Sequence, residues 1–239
     1  MANNVIVYKN FDITKFEIST DVTKSPTDKD QVLFTYDGMK KWFLQGPEMT
    51  VPFGVSEFVP TNKQTGQALG APSWSLQPSF KDADKDPKVA KFMEVLSSID
   101  DKILNVASAN SKKWMKEEMP PEVMKAFYTP LVRVNKKDPT KYAPTITVKL
   151  RKNDKDEFRA KAFDKKKQAF DLNDLQPHSK VKTLLNLTPV WFMNKGYGVS
   201  LNASQIVVTE EPENMNDYAF MDEVFEDDEG EEVSFKSDD

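Results

Sequence analysis

The chain has 239 residues, 30% of them charged and 38% apolar, enough for one large domain or two small ones with a sizeable core. Cysteine is absent, which excludes disulfides, thiolate metal sites and cysteine nucleophiles and fits an intracellular protein. No apolar run approaches the roughly 18 residues of a membrane helix, and Met1-Ala2-Asn3-Asn4 lacks the basic patch and apolar core of a signal peptide, so no membrane partner is expected. The net charge of −5 hides an asymmetry. Residues 210–239 carry 14 Asp and Glu against one lysine, whereas residues 1–209 carry 32 Lys and Arg against 24 acids. A basic body therefore bears an acidic tail, and like-charge blocks at a terminus tend to stay solvated and act as interaction segments.

In chain order, "VIVY" and "FDITKFEIS" alternate as short strands, followed by a polar loop at "TKSPTDKD". "QVLFTYDG" (31–38) and "MKKWFLQG" (39–46) read as a hairpin about Asp37-Gly38. "TVPFGVSEFV" (50–59) and "SWSLQPSF" (73–80) read as strands separated by a loop rich in Gly, Thr, Asn and Pro. The period then changes. Val89, Phe92, Met93, Val95, Leu96, Ile99, Ile103, Leu104 and Ala107 recur at three and four residues, with Asp86 suited to the N-cap and Pro87 to the first turn. A helical insert over about 86–128 is expected, closed by Pro120-Pro121 and "PEVMKAFY". Strands resume at 143–152, 157–164, 181–193 and 197–210. The expected class is α+β, mainly β: an OB-fold, a five-stranded Greek-key barrel, elaborated by extra N-terminal strands and the central helical insert. Residues 1–209 would form the body and 210–239 a disordered acidic tail.

Catalytic motifs are missing. The one histidine, His178, follows Pro177 in a polar loop and has no evident orienting partner. No phosphate-binding loop, dinucleotide fingerprint or nucleophile elbow occurs. "DADKD" (82–86) copies the opening of a calcium loop, but Pro87 stands at the sixth position and Met93 at the twelfth, so its expected role is charge at a helix N-terminus. No cofactor, metal or enzymatic activity is expected, although an enzyme with an unrecognised carboxylate pair leaves no reliable trace in a sequence.

Residues 133–167 hold 13 Lys and Arg against five acids, with rings among them. In "TITVKLRK", strand alternation places Thr145, Thr147, Lys149 and Arg151 on one face and Ile146, Val148 and Leu150 on the other. In "FRAKAF", Arg159, Lys161 and Phe163 share a face. Two such strands side by side would give water a basic surface bearing a ring. Cations neutralise phosphate and rings stack on bases, the recipe for single-stranded nucleic acid. Composition alone equally allows a solvated lysine-rich hairpin; the acidic tail favours the first reading, because a polyanion can compete with phosphate or recruit other proteins.

Three stretches carry a resemblance: "SIDDKILNVASANSKKWM" (98–115), "YTPLVRVNKKDPTKYAPTITVKLRKN" (128–153) and "LLNLTPVWFMNKGYGVSLNASQIVV" (184–208). They resemble single-stranded-DNA-binding proteins of nucleocytoplasmic large DNA viruses, of the algal-virus and African-swine-fever-virus-like group, over about residues 85–209. Asn110, Ser111 and Trp114 match one element, Tyr142, Pro144 and Thr145 a second, and Trp191, Phe192, Gly198, Val199, Ser200, Leu201, Gln205 and Ile206 a third. The resemblance implies an OB core, sequence-independent binding of single-stranded DNA and a role in viral replication, recombination or repair, in the host nucleus or a cytoplasmic virus factory. It extends to phage replication proteins with an acidic, aromatic-containing tail, although Phe235 here is followed by four further residues.

The expected nucleic-acid contacts are Lys40, Lys41 and Trp42 on the early hairpin; Lys136, Lys137, Lys141 and Tyr142; Lys149, Arg151 and Lys152; Arg159, Lys161 and Phe163; Lys165, Lys166 and Lys167; and Trp191, Lys195 and Tyr197 at the last hairpin, where Gly196 and Gly198 would permit a tight turn. Trp191 and Trp42 are each either a core residue or a stacking platform, and Trp114 an anchor for the insert. Tyr218, Phe220, Phe225 and Phe235 would dock replication proteins. RNA is a possible second ligand. The competing reading is a protein-interaction or virion-scaffold module acting through its tail, with no nucleic-acid binding.

Overall fold

The computed structural model describes residues 4–135, 137–138, 140–193 and 196–212. In chain order the strands and helices are β1 (Val5–Val7), β2 (Phe16–Lys24), β3 (Asp30–Tyr36), β4 (Phe43–Thr50), β5 (Ser56–Phe58), β6 (Ser73–Leu76), α1 (Pro87–Ala109), α2 (Ser111–Met115), α3 (Pro121–Phe127), β7 (Tyr128–Thr129), β8 (Val132–Arg133), β9 (Thr145–Ile146), β10 (Val148–Leu150), β11 (Lys161–Phe163), β12 (Lys180–Leu187), β13 (Val190–Met193), β14 (Gly196–Gly198) and β15 (Leu201–Glu210). The class is the expected one, α+β and mainly β: mixed sheets that include N-terminal strands, with a helical insert.

The larger sheet is mixed and runs β1-β4-β12-β15-β10-β6-β5, with β11 also on β15. Its centre is the long antiparallel pair β12 and β15, where Val181, Leu185, Leu187, Leu201, Ile206 and Val208 turn inward. A second sheet runs β2-β3-β13-β14-β7. The chain leaves the first sheet after Leu187, makes the β13–β14 hairpin in the second, and returns at Leu201, with the Thr188 amide donating to the Ser200 carbonyl at the crossing.

The insert forms as its spacing predicts. The Asp86 carboxylate accepts from the Lys88 amide at 2.8 Å, Pro87 supplies the first turn, and α1 buries Val89, Phe92, Val95, Leu96, Ile99, Ile103 and Ala107. Phe92 meets Tyr8 edge to face at 6.0 Å, which locks the helix against the N-terminal segment.

Two local expectations fail. The Asp37-Gly38 turn does form, with both residues at positive φ, but its strands part: β3 pairs with β2 and β13, whereas β4 pairs with β1 and β12. Trp42 marks the divergence. It follows the turn, is 4% exposed, and packs among Phe11, Phe16, Phe34 and Tyr36 rather than facing solvent on a two-stranded hairpin. Likewise β10 and β11 are not hairpin partners. Both run parallel to β15, β10 against Leu201–Asn202 and β11 against Gln205–Val207, so they lie end to end along one edge. Between them a single bridge, Lys152 to Phe158, closes a tight turn.

Candidate nucleic-acid interface

The alternation expected over 145–151 is what the structure shows. Ile146, Val148 and Leu150 are buried, whereas Lys149 and Arg151 are exposed. Strand register extends that outer face sideways: Lys149 lies beside Ser75 of β6, Ser75 beside Ser56 of β5, and one step on Ser73 lies beside Phe58. On the other flank Arg133 of β8 registers with Thr145 of β9. The serines and Thr147 are small, so the face sinks into a groove of about 910 Å³ whose walls carry Phe58, Trp74, Arg133, Arg151 and Arg159.

The charged lining of this groove is basic apart from Asp156, which pairs with Lys152. Among the described residues, no carboxylate lies within ion-pair distance of Arg133, Lys149, Arg151 or Arg159. Although Lys149 keeps contact with water, desolvation by the groove around it lowers its ammonium below the usual lysine range, and the Arg151 and Arg133 charges lower it further. Like charges held together without partners oppose the free fold, and an anion relieves that repulsion.

Lys152 stands apart from this set. Its ammonium lies 4.2 Å over the Trp74 ring centroid and 5.0 Å over that of Phe158, and 3.0 Å from the Asp156 carboxylate. The two rings meet edge to face at 6.4 Å.

The other expected contacts scatter. Lys161 is exposed beside Gln205, and Phe163 is half-buried beside Val207. Lys165 and Lys166 line a different hollow with Phe170 and Glu210–Glu211, and Lys167 caps that turn at positive φ. Lys137 is exposed in the loop leading to β9; farther along it, the Lys141 ammonium lies 5.3 Å over the half-exposed Tyr142 ring. Lys40 and Lys41 are exposed beside β4, toward the opposite end of the strand order. Lys136, Lys195 and the tail residues Tyr218, Phe220, Phe225 and Phe235 lie outside the described residues.

Two aromatic contacts are corrected. Trp42 is enclosed by the cluster described above and presents no face to a ligand. Tyr197 is 0% exposed, packed against Phe192, Tyr128 and Trp114, because α2, α3 and β7 cover the hairpin that the sequence places at a tip. Gly196 and Gly198 serve that cover rather than a turn. A Cβ on Gly196 would stand 2.6 Å from the Phe127 carbonyl oxygen, and one on Gly198 would stand 2.8 Å from that of Thr129. Trp191 is half-buried and donates from Nε1 to Ser200 Oγ at 3.1 Å. Trp114 does anchor the insert, buried and donating to the Thr20 carbonyl at 3.2 Å.

The Tyr197 hydroxyl is buried and finds no hydrogen-bond partner among the described residues, and burial pushes it up to about 12. Replacing it by phenylalanine removes an unsatisfied polar atom without changing shape. Tyr197→Phe is therefore expected to be neutral or more stable by about 1 kcal/mol in chemical denaturation, with nucleic-acid affinity unchanged. A loss of affinity at unchanged stability would return this residue to the interface.

Phe58 and Trp74 are absent from the sequence reading. For Phe58 the signal was Ser73 opposite it, too small to cover the ring; Trp74 alternates to the other face of β6, beside Leu150, and carries no such signal. His178 is exposed at positive φ, and among the described residues no cluster of three potential ligands could hold a metal ion. No helix among them is long and apolar enough to cross a membrane.

Residues 80–222, more than half of the chain, match a family of unknown function, DUF5871, and the chain belongs to that family. No curated protein matches. Among solved structures the chain is similar to gp2.5, a single-stranded DNA binding protein encoded by bacteriophage T7, at 14% identity and a TM-score of 0.45, over 77% of this chain and 100% of that one. It is also similar to the single-stranded DNA-binding protein of bacteriophage Enc34. In complex with single-stranded DNA, that protein gives 11% identity and a TM-score of 0.40 over 82% and 99% of the two chains; free, it gives 11% and 0.41 over 84% and 96%.

Proposed function

We propose that this chain is a non-catalytic protein that binds single-stranded DNA without sequence preference, along the groove of β5, β6, β8 and β10. The observation that carries the reading is the cluster of Arg133, Lys149, Arg151 and Arg159, unpaired with any described carboxylate and gathered on one concave face. Cations in that state are satisfied by a row of phosphates, and the exposed Phe58 ring on the same lining suits an unstacked base rather than a duplex.

Residues 1–209 would act as one binding domain that coats and protects the strand. The setting, viral DNA replication, recombination or repair, follows from the sequence resemblance alone. The acidic tail would compete with phosphate for the basic face and recruit replication proteins.

Fluorescence anisotropy of a labelled mixed-sequence single strand, with duplex DNA and RNA as competitors across a salt series, tests the proposal. Four phosphate contacts on a single strand give a slope of log affinity against log salt of about −3. Salt-independent binding, or none by the full chain and by a 1–209 truncation, would sink it and leave the tail-borne scaffold reading.

A further inference from the structure

We propose that Phe58 is a base-stacking residue of the groove, and that Lys152 is a positioning residue for its aromatic wall rather than a phosphate ligand; both rest on the single-strand reading above. Phe58 sits on a three-residue edge strand and is 66% exposed. Its cross-strand partner is Ser73, whose hydroxyl donates to the Phe58 carbonyl at 3.2 Å. The backbone is thus fixed, and the neighbour is too small to cover the ring. A large ring left bare in the groove that Arg151 and Arg133 also line puts a flat apolar surface in the same trough as two cations. A nucleobase has that chemistry, a planar apolar face attached to a phosphate chain, and every base presents it.

Lys152 has a different job. Its side chain is only 14% exposed, its charge is met by Asp156 at 3.0 Å, and its ammonium is shared between the faces of Trp74 and Phe158. A cation already neutralised and half-enclosed releases no counterion when a strand arrives. What it does is join two pieces of wall: Trp74, the β6 residue between Ser73 and Ser75, and the 152–158 turn that leads to Arg159. With the clip closed, the root of the β5–β6 arm is held against β10, and Phe58 stays over the groove.

The experiment uses the full chain and two labelled strands of equal length, one with mixed bases and one abasic, titrated by anisotropy across a salt series. Phe58→Ala should weaken binding to the base-bearing strand about tenfold, leave the abasic strand unaffected, and leave the salt slope unchanged. Lys152→Met should likewise weaken the base-bearing strand more than the abasic one at an unchanged slope, and Lys152→Arg, which keeps a cation over the rings, should restore it. A slope reduced by about 0.7 with equal weakening on both strands would make Lys152 a phosphate ligand and overturn its assignment. Wild-type binding with Phe58→Ala indistinguishable on the base-bearing strand would overturn the stacking site while leaving the groove intact. Failure of the wild-type chain to bind either strand would overturn the groove and this inference with it.

Discussion

Reversing Arg133 and Arg151 to glutamate together is expected to weaken single-strand binding on the order of 100-fold, and to make the salt slope shallower by about 1.4. The two residues reach the groove from different elements, Arg133 from β8 and Arg151 from just after β10, and both act on the ammonium of Lys149 between them. Each reversal removes one phosphate contact and adds a repulsive charge where the strand must pass. Both side chains are exposed and unpaired with described carboxylates, so the fold loses no ion pair and its stability should hold or rise as like-charge repulsion falls. The matched control is Lys112→Glu with Lys125→Glu, exposed positions on the helical insert that change the net charge equally. A general loss of attraction would weaken both pairs alike; a groove site weakens only the first. Equal losses would refute the placement of the site, even if the protein binds nucleic acid.

The second large effect concerns the link between the insert and the groove. Asp100 of α1 is buried; its carboxylate accepts from the Tyr128 hydroxyl at 2.6 Å and from the Leu131 amide at 3.0 and 3.1 Å. Burial pushes this carboxyl up from 3.8 to about 6, against the hydrogen bonds from Tyr128, Leu131 and Val132, which favour the charged form. The sign follows. Between those values the folded chain holds a proton that the unfolded chain releases, so this group's contribution to stability is greatest near pH 4, falls as pH rises to 6, and is level above it. Two pH units of displacement correspond to about 3 kcal/mol. Asp100→Asn cannot titrate. Its stability relative to wild type, measured by denaturant unfolding at matched pH, should improve by about 3 kcal/mol between pH 4 and pH 7, on top of a constant cost for placing an amide N–H toward the Leu131 N–H. A difference that stays constant across this range would show that Asp100 keeps an ordinary carboxyl in the fold. Since Leu131 is two residues from Arg133, the same substitution tests whether the grip on this segment helps to hold one wall of the groove.

The parts of the fold legible in the sequence were those written in local period. Asp86-Pro87 and the three- and four-residue spacing after it specify α1 without help from the rest of the chain. Threonine, lysine and arginine alternating with Ile146, Val148 and Leu150 specify which face of β10 meets water, because successive side chains of a strand point to opposite sides. What failed depended on partners far away in sequence. Tyr197, between two glycines and beside a lysine, has the local look of an exposed tip. It is buried because α2, α3 and β7 are laid over it, and those glycines allow that approach. Trp42 beside two lysines is similarly sealed by Phe11, Phe16 and Phe34. Lysine counting placed Lys152 with the phosphate ligands, since no local pattern reveals that Trp74 and Phe158 close on its ammonium. Phe58 was missed for the converse reason: a ring in an apolar-looking strand reads as core until the register shows serine opposite it.

The groove draws Phe58, Arg133 and Arg151 from three separated stretches of chain, and no short segment contains them together. An unfolded chain therefore has these three residues strung out, far from one another. A strand bound in the proposed groove would favour the native form over the unfolded one, and would raise stability as its concentration climbs above its dissociation constant. On the proposed reading, ligand and fold would be mutual guarantors: the protein would shelter the strand, and the strand would keep the protein assembled.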